Sequence, residues 1–378
     1  MKFAETRPIR DYCLGIYDGP HATPREADEG PVFLGIKNLT ADGALDFSEV
    51  RHVSEEEYPR WTRRVVPQVG DLVFTYEATL HRYAIIPEGF RGCLGRRVAL
   101  VRPNPDHVDS RYLLYFFLSR SWRQVVESSV ITGATVDRIP LERFPDFPAT
   151  LPDLRLQHRI ADVLSAYDDL IENNLRRMAL LEEAARLLYQ EWFVRLRFPG
   201  HEHTPCHEGV PEGWERVPLG DRVTLNYGKA LKAEDRAEGP TPVYGSSGIV
   251  GSHEKALVQG PGIIVGRKGN VGSVYWSPKD YWPIDTVYFI AAESANLWLY
   301  HALREMPFMS TDVAVPGLNR DFAYSRPLLV PAARLVRAFL ESAGPMYEQL
   351  ERLGEMNQKL RTARDLLLPK LMSGEIDA

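Results

Sequence analysis

Residues 157–192 read QHRIADVLSAYDDLIENNLRRMALLEEAARLLYQEW, and apolar side chains recur through them at alternating gaps of four and three. The positions on this seam are Ile160, Leu164, Tyr167, Ile171, Asn174, Met178, Leu181, Ala185, Leu188 and Trp192. Such spacing, kept over several heptads, is typical of a coiled coil. It predicts one long helix that packs against a partner helix.

A second seam of the same kind lies near the C-terminus. Its positions are Val336, Phe339, Ala343, Met346, Leu350, Leu353, Asn357, Leu360, Arg364 and Leu367. The pair Gly344–Pro345 falls inside this seam and predicts a bend or a restart of the helix. Because a whole strand-rich stretch separates the seams, we expect an antiparallel intramolecular coiled coil and a pseudo-twofold arrangement of the two halves.

Each seam contains one asparagine, Asn174 or Asn357. A buried polar residue in a coiled-coil seam fixes register or orientation at some cost in stability. On a neighbouring face the same side chain would simply be exposed, and the sequence leaves both possibilities open.

Each half of the chain runs from a strand-rich stretch into a long helix, so we predict a mixed α/β (α+β) fold with two similar domains. The predicted divisions are a first domain over 1–150, a central scaffold helix over 151–198, a linker and second domain over 199–330, and a C-terminal scaffold helix over 331–378. The strands predicted from Gly- and Pro-bounded apolar runs are 72–76, 98–101, 262–265, 273–276 and 286–290, and the short helices are 111–127 and 295–304.

Composition narrows the class of protein. The formal net charge is −6, and no apolar run approaches the ~18 residues that a membrane helix needs. The first residues carry charges where a signal peptide would be apolar, so we expect a cytoplasmic protein. The three cysteines are few, odd in number and widely spaced, which predicts reduced thiols.

One short segment raises the question of a metal. Cys206 is surrounded by His201, His203 and His207, but the spacing is not that of a zinc finger. The segment is also rich in Pro and Gly, so a polar linker is the favoured reading and no metal is predicted.

Signatures of catalysis are missing from the sequence. It contains no Asn-Pro-Pro-Tyr or Asp-Pro-Pro-Tyr tetrapeptide, as an adenine methyltransferase would, and no D/E-x-K triplet, as a Mg²⁺ nuclease would. No Ser or Cys nucleophile stands in a recognisable setting. The chain is therefore predicted to have no catalytic site.

Several motifs resemble those of one known family, the specificity subunits of type I restriction-modification systems. In the first half these are Asp18–Pro24 (DGPHATP), Phe33–Leu39 (FLGIKNL), Gly70–Phe74 (GDLVF) and Cys93–Arg97 (CLGRR). In the second half they are Val210–Asp221 (VPEGWERVPLGD), Tyr244–Gly248 (YGSSG), Gly266–Gly272 (GRKGNVG) and Trp282–Thr286 (WPIDT). The helical segments Leu151–Leu154 (LPDL), Gln157–Ile160 (QHRI) and Leu366–Glu375 (LLLPKLMSGE) match as well, so the resemblance covers nearly the whole chain.

The resemblance implies two target-recognition domains that each read one half of a split, asymmetric site on double-stranded DNA. It also implies that the helices space these domains and dock two methyltransferase subunits, to which restriction and translocase subunits are added. S-adenosylmethionine, ATP and Mg²⁺ would then belong to the partner subunits and not to this chain. The alternatives are a specificity component of another restriction or phage-defence assembly, and a coiled-coil interaction scaffold that binds no DNA.

Candidate DNA contacts come first from the glycine-spaced segment 266–272, in which Arg267, Lys268 and Asn270 offer donors to phosphates or base edges. The flanking strands predict a hairpin turn and not a nucleotide-binding loop, and a solvated turn is the alternative role. Weaker candidates, for which packing roles compete, are Ser246, Ser247, Asn319 and Arg320 in the second half and His21, Thr23, Lys37, Thr135 and Arg138 in the first.

One departure from the family pattern concerns the first half. Residues 77–83 read EATLHRY where relatives often have glycines, which puts the shape of that turn in doubt. Charge is a second reservation, because residues 1–150 contain 19 basic and 21 acidic side chains and residues 214–330 contain 12 of each. Since phosphate neutralisation supplies much of the affinity for DNA, we expect tight binding only with the methyltransferases closed around the duplex.

Overall fold

The computed structural model describes residues 5–131, 136–308 and 317–378. The chain forms two compact units, one from residues 1–172 with 357–378 and the other from residues 173–356. Each unit combines strands, short helices and part of both long helices, which confirms the mixed fold class. In chain order the helices are α1 (Tyr58–Trp61), α2 (Ser110–Leu118), α3 (Arg120–Glu127), α4 (Leu154–Tyr189), α5 (Leu297–Glu305), α6 (Arg320–Tyr324) and α7 (Ala333–Ser373).

The first unit contains a four-stranded and a three-stranded sheet. Its strands are β1 (Arg7–Pro8), β2 (Cys13–Asp18), β3 (Ala27–Leu34), β4 (Arg51–His52), β5 (Leu72–Thr75), β6 (Tyr83–Ile85), β7 (Gly92–Leu94), β8 (Val98–Pro103) and β9 (Pro148–Ala149). The larger sheet has the antiparallel order β2-β8-β5-β6, and the smaller has the order β4-β3-β7 with β3 and β7 parallel. Strands β1 and β9 pair separately.

The second unit repeats this plan. Its strands are β10 (Cys206–His207), β11 (Val210–Pro211), β12 (Glu215–Pro218), β13 (Asn226–Tyr227), β14 (Thr241–Gly245), β15 (Gly248–His253), β16 (Gly262–Gly266), β17 (Val274–Ser277), β18 (Trp282–Pro283), β19 (Val287–Ile290) and β20 (Pro327–Val330). The larger sheet has the antiparallel order β13-β19-β16-β17, and the smaller has β15-β14-β18 with β14 and β18 parallel. Strands β12 and β20 pair separately, as do β10 and β11.

The correspondence between the two larger sheets extends to single hydrogen bonds. Just after β2, the Gly19 amide donates to the Val98 carbonyl at 3.1 Å, and just after β13 the Gly228 amide donates to the Val287 carbonyl at 3.2 Å. The two halves of the chain therefore share one fold, as the repeated pattern of the sequence predicts.

The predicted strands are all present, with ends shifted by no more than two residues. The helix predicted over 111–127 is divided into α2 and α3. Ser119 lies between them with extended backbone, and its hydroxyl accepts a hydrogen bond from the Trp122 amide, so it caps the second helix. Helices α2 and α5 also begin with a capping side chain, Asp109 for α2 and Asn296 for α5.

In the first unit, the long helices run antiparallel. The Asn357 side-chain amide donates to the Ile171 carbonyl at 3.4 Å, and the Arg364 guanidinium binds the Asp168 carboxylate. Residue numbers therefore increase along α7 while those of their partners on α4 decrease. This is the antiparallel direction that the sequence predicts.

The same direction holds in the second unit. The ring of Tyr189 on α4 lies 6.0 Å from that of Phe339 on α7, and Met178 lies beside Gly354. The predicted seam positions are buried or half-buried throughout. The buried ones are Ile160, Leu164, Ile171, Asn174, Leu350, Leu353 and Asn357, and the half-buried ones are Tyr167, Met178, Leu181, Leu188, Trp192, Met346, Leu360 and Leu367.

Two expectations about the seams are resolved by the structure. Both asparagines are buried, with 4% of Asn174 and 2% of Asn357 exposed, so the exposed alternative is wrong. Of the bend or restart predicted at Gly344–Pro345, the restart is wrong, because α7 continues through both residues. Pro345 is exposed while Ala343 and Tyr347 on either side are buried, so packing of the apolar face outweighs the backbone hydrogen bond that proline removes.

Arg364, where the apolar pattern of the second seam is interrupted, belongs to a polar network. The Asp168 carboxylate binds Arg364 and also accepts a hydrogen bond of 2.5 Å from the Tyr115 hydroxyl on α2. Arg364 binds Asp365 as well. One carboxylate therefore joins α2 to both long helices within the first unit.

In the second unit, the corresponding short helix also makes a polar contact with α7. The Nε2 atom of His301 on α5 lies 3.1 Å from the Tyr347 hydroxyl, and the His301 ring stacks on Tyr189 of α4 at 5.5 Å. Burial lowers the pKa of His301 to about 4, and the positive charges of Arg304 and Arg186 contribute to a smaller extent. A neutral imidazole is the form that accepts the tyrosine proton.

We predict that Asp168→Ala lowers the stability of the first unit by roughly 2 to 3 kcal/mol, because it leaves the Arg364 charge buried with Asp365 as its remaining carboxylate. Scanning calorimetry should show a melting temperature lower by several degrees. The matched control is Asp169→Ala, which removes an exposed ion pair with Arg111 and should change little. Equal shifts in the two variants would contradict a structural role for the network.

We predict that acid destabilises the second unit through His301. Its pKa is lower in the folded than in the unfolded chain, so the unfolded state takes up the proton first. The stabilisation is complete above pH 6.5 and is lost as pH falls toward 4, by on the order of 3 kcal/mol. Urea unfolding between pH 7.5 and 4.5 should therefore have a steeper pH dependence in the native chain than in His301→Phe, and identical dependences would refute the assignment.

Candidate nucleic-acid interface

The glycine-spaced segment of the second domain forms the turn between β16 and β17. Gly269 and Gly272 have φ values of 78° and 79°, in the left-handed region that glycine enters without strain. Lys268 forms a backbone bridge with Gly317, which brings the chain before α6 beside the turn. The structure confirms the hairpin predicted there, and Lys268 and Asn270 are exposed on it.

A second turn, between β14 and β15, lies against this hairpin. The carbonyl of Ser246 accepts hydrogen bonds from the Ser273 hydroxyl at 2.6 Å and the Tyr275 hydroxyl at 3.2 Å. The Ser246 hydroxyl accepts a weaker bond from the Asn270 amide at 3.4 Å. Ser246 is therefore a structural link between the turns, while Ser247 beside it is exposed.

Two arginines flank an exposed tyrosine at the edge of the same surface. The guanidinium carbons of Arg267 and Arg320 each lie 5.2 Å from the centre of the Tyr227 ring. Tyr227, which ends β13, is 52% exposed. Cation–π attraction thus gathers two positive charges around one aromatic side chain.

Arg267 is held more firmly than Arg320. Its guanidinium donates to the Asp285 carbonyl at 3.0 Å and lies 5.8 Å from the ring of Tyr288. Burial raises the pKa of Tyr288 to about 12, and its hydroxyl donates to the Leu318 carbonyl. Tyr288 thus stays neutral and supports the cluster from beneath.

Asn319 and Arg320 have different roles at the start of α6. The Asn319 side-chain oxygen accepts hydrogen bonds from the amides of Asp321 and Phe322, so it caps the helix. Arg320 is exposed and makes only ring contacts among the described residues, with Tyr227 and Tyr324. Arg320 is thus the more available donor of the two.

The second-domain surface therefore brings together all seven residues predicted there: Arg267, Lys268, Asn270, Ser246, Ser247, Asn319 and Arg320. Its guanidinium and amide donors suit phosphate oxygens or the acceptor edge of guanine. Sequence reasoning missed Tyr227 because a lone tyrosine at the end of a two-residue strand carries no motif. Only the pairing of β13 with β19 reveals its position beside Arg267.

The equivalent turn of the first domain has the same backbone shape without glycine. Ala78 and His81 adopt φ values of 69° and 62°, matching the positions of Gly269 and Gly272. Glu77 forms a bridge with Arg138, as Lys268 does with Gly317. The doubt about this turn is thus resolved in favour of a conserved shape, and Arg138 lies exposed beside it.

The Asp18–Pro24 loop of the first domain is organised by one carboxylate. His21 Nε2 lies 3.0 Å from an oxygen of Asp18, and Arg64 forms an ion pair with the other oxygen. Thr23 is exposed in the same loop. Asp18 ends β2 at the place where Tyr227 ends β13, so the two domains present different chemistry at matching positions.

Two further candidates of the first domain, Lys37 and Thr135, are not part of this loop. Lys37 lies in the 3₁₀ turn Ile36–Asn38 and lines a cavity of about 410 Å³ together with Glu49 and Arg51. Thr135 falls outside the described residues. Both remain predictions as DNA contacts.

The contacts described for the Cys206 segment are with residues nearby in the sequence. His201 Nδ1 lies 2.9 Å from the Phe198 carbonyl, while Cys206 and His207 form β10. Over residues 5–131, 136–308 and 317–378, no three His, Cys, Asp or Glu side chains are grouped as a metal site would require. Within those same ranges, no helix has the length and apolar character needed to cross a membrane.

Comparison with known proteins agrees with the repeated architecture. Residues 52–183 and 211–320 each match the family described as "Type I restriction modification DNA specificity domain". The chain belongs to this family.

Similar relatives and structures cover most of the chain. It is 23% identical over 364 residues to the type I restriction enzyme MjaIX specificity subunit of Methanocaldococcus jannaschii, covering 86% of this chain and 82% of that protein. It is 21% identical over 369 residues to the HindI specificity subunit of Haemophilus influenzae, covering 73% and 80%. The crystal structure of a type I S subunit from M. genitalium shares the fold, with a TM-score of 0.56, 18% identity and coverage of 97% and 95%.

We predict that Arg320→Ala weakens specific DNA binding by roughly 1 to 3 kcal/mol, because it removes a guanidinium whose donors we expect to contact a base edge. Fluorescence anisotropy with duplexes that contain the recognised site should show an affinity lower by roughly 5- to 150-fold. Arg216→Ala is the control, since Arg216 is exposed on β12, outside the sheets that carry this cluster. Equal affinities of Arg320→Ala and the native chain would remove Arg320 from the interface.

Proposed function

We propose that this chain is the sequence-specific DNA recognition subunit of a type I restriction-modification complex and that it reads a split, asymmetric site. The observation that carries the proposal is one fold present twice with different side chains at matching places. Asp18 stands where the second domain has Tyr227, and Tyr76 stands where it has Arg267. Two such domains would read two different half-sites.

The proposal assigns one half-site to each domain, over 1–150 and 199–330. In the second, Arg267, Lys268, Asn270 and Arg320 offer donors, which favours contact with phosphates and with guanine. In the first, the polar groups are mixed in charge, since the Asp18 carboxylate accepts hydrogen bonds while His21 beside it and Arg138 beside the Glu77 turn have donors.

The partners proposed for the complex are two methyltransferase subunits, with restriction and translocase subunits added to them. The long helices offer apolar side chains that the seams do not use: Leu180 and Leu187 of α4 are seven residues apart on one helix face and are 70% and 42% exposed. Contact with a methyltransferase would remove this apolar surface from water. S-adenosylmethionine, ATP and Mg²⁺ would be bound by the partners.

The chain itself would contribute recognition and no bond-making step. Within the described residues, the second-domain cluster consists of arginines, amides and hydroxyls, and the first-domain cluster of the Asp18 carboxylate with His21 and Arg64, without a Ser or Cys nucleophile paired with a base. Methylation and cleavage would therefore take place on the partner subunits.

We predict that coexpression of this chain with the type I methyltransferase of its host produces adenine methylation at one split, asymmetric motif, which single-molecule sequencing of the host DNA can map. Exchange of residues 1–150 for the same domain of another family member should alter one half of that motif and leave the other half unchanged.

The control is the methyltransferase expressed without this chain, which should leave the motif unmodified. Methylation that is independent of the chain, together with failure to copurify with the methyltransferase, would overturn the proposal and favour a coiled-coil scaffold that binds no DNA. Copurification with enzymes of a different restriction or defence assembly would favour that assembly.

A further inference from the structure

A basic cavity lies beside the Asp18–Pro24 loop of the first domain. It has a volume of about 430 Å³, and the chemistry-bearing residues of its lining are His21, Arg60, Trp61, Arg63 and Arg64. Nothing in the family motifs points to the three arginines, which lie in and just after the short helix α1.

We propose that Arg60 and Arg63 hold a backbone phosphate of the DNA at this cavity. The inference rests on the proposed function and adds a positioning contact that carries no base information. Arg60 belongs to α1 and Arg63 follows it, and α1 has no counterpart in the second domain, where no helix lies between β15 and β16.

Of the three arginines that line the cavity, Arg64 has an ion-pair partner among the described residues, whereas Arg60 and Arg63 do not. Arg64 forms an ion pair with Asp18, and Asp18 also contacts His21, so this carboxylate is already satisfied by local partners. Arg60 and Arg63 are exposed and have no ion-pair partner within the described parts of the chain. Two uncompensated positive charges therefore face one concave surface, in a domain whose overall charge is slightly negative.

The floor of the cavity is rigid. Trp61 is only 5% exposed and packs edge-on against Phe33 of β3, with ring centres 5.7 Å apart. Its indole nitrogen is buried and has no hydrogen-bond partner within the described residues. Since Trp61 lies between the two arginines in sequence, its packing fixes the backbone from which both side chains extend.

The chemistry of the cavity favours a phosphodiester over other anions that could reach it. Guanidinium groups bind phosphate oxygens in a forked geometry, and a surface site beside a recognition loop suits a ligand that continues past it in both directions. The other occupant to be considered is an acidic side chain of the methyltransferase, which would make the cavity part of a protein interface.

The test uses the complex with the methyltransferase and a double variant, Arg60→Ala/Arg63→Ala. Binding to a random-sequence duplex and to a duplex with the methylated motif is measured across salt concentrations. Each phosphate contact contributes about 0.9 to the slope of log affinity against log salt, so losing the one phosphate held by the two arginines should lower the slope by about one. Affinity at 0.1 M salt should fall roughly tenfold or more on both duplexes, and the methylated motif should stay the same.

The matched control is Arg120→Ala/Arg143→Ala, which removes two arginines that are also exposed and without an ion-pair partner in the described structure, from elsewhere in the first unit. It should leave the slope at the native value, and Arg60→Lys/Arg63→Lys should retain it because the charge remains. Unchanged melting temperatures would show that the variants fold.

If the salt slope of Arg60→Ala/Arg63→Ala equals that of the native complex, the phosphate site is overturned. Loss of copurification with the methyltransferase would also overturn it, because it would assign the cavity to a protein contact. A changed motif would overturn it as well, because it would mean that these arginines read bases. None of these results affects the proposed function, which fails only if the native chain directs no methylation.

Discussion

The architecture depends on one constraint: two antiparallel helices must meet in a single register although a whole domain separates them in the chain. Apolar seams alone slide at small cost, whereas buried polar groups must meet their partners. Asn357 reaches the Ile171 carbonyl and Arg364 reaches Asp168, and a shift by one helical turn would break both contacts. These polar contacts select the register, and the leucines around them supply the burial.

Each domain is attached to this helix pair through one short helix that follows its larger sheet. In the first unit Tyr115 of α2 meets Asp168, and in the second His301 of α5 meets Tyr347. Both contacts are polar; the one between Tyr347 and His301 is buried, and the one between Tyr115 and Asp168 is partly buried. A hydrogen bond in such a setting has few alternative geometries, so each short helix has a defined angle against the long ones within its own unit.

Much of this fold follows from the sequence, because heptad spacing and Gly- and Pro-bounded apolar runs are local patterns. The continuity of α7 through Gly344–Pro345 could not be predicted from local propensity, since burial of Ala343 and Tyr347 overrides it. The candidate site divides in the same way. Arg267, Lys268 and Asn270 belong to a recognisable turn, but Tyr227 and the cavity of Arg60 and Arg63 depend on strand pairing and on packing around Trp61, which no local pattern records.

The two hairpin turns that match in the two domains reach the same left-handed backbone with different residues. Gly269 and Gly272 adopt it freely, while Ala78 and His81 adopt it at a cost of about 1 kcal/mol each. A turn that persists under such strain is dictated by the strands on either side and not by its own composition. Its side chains are therefore open to replacement without a change in backbone, which is the freedom that a protein needs to acquire new sequence preferences through single substitutions.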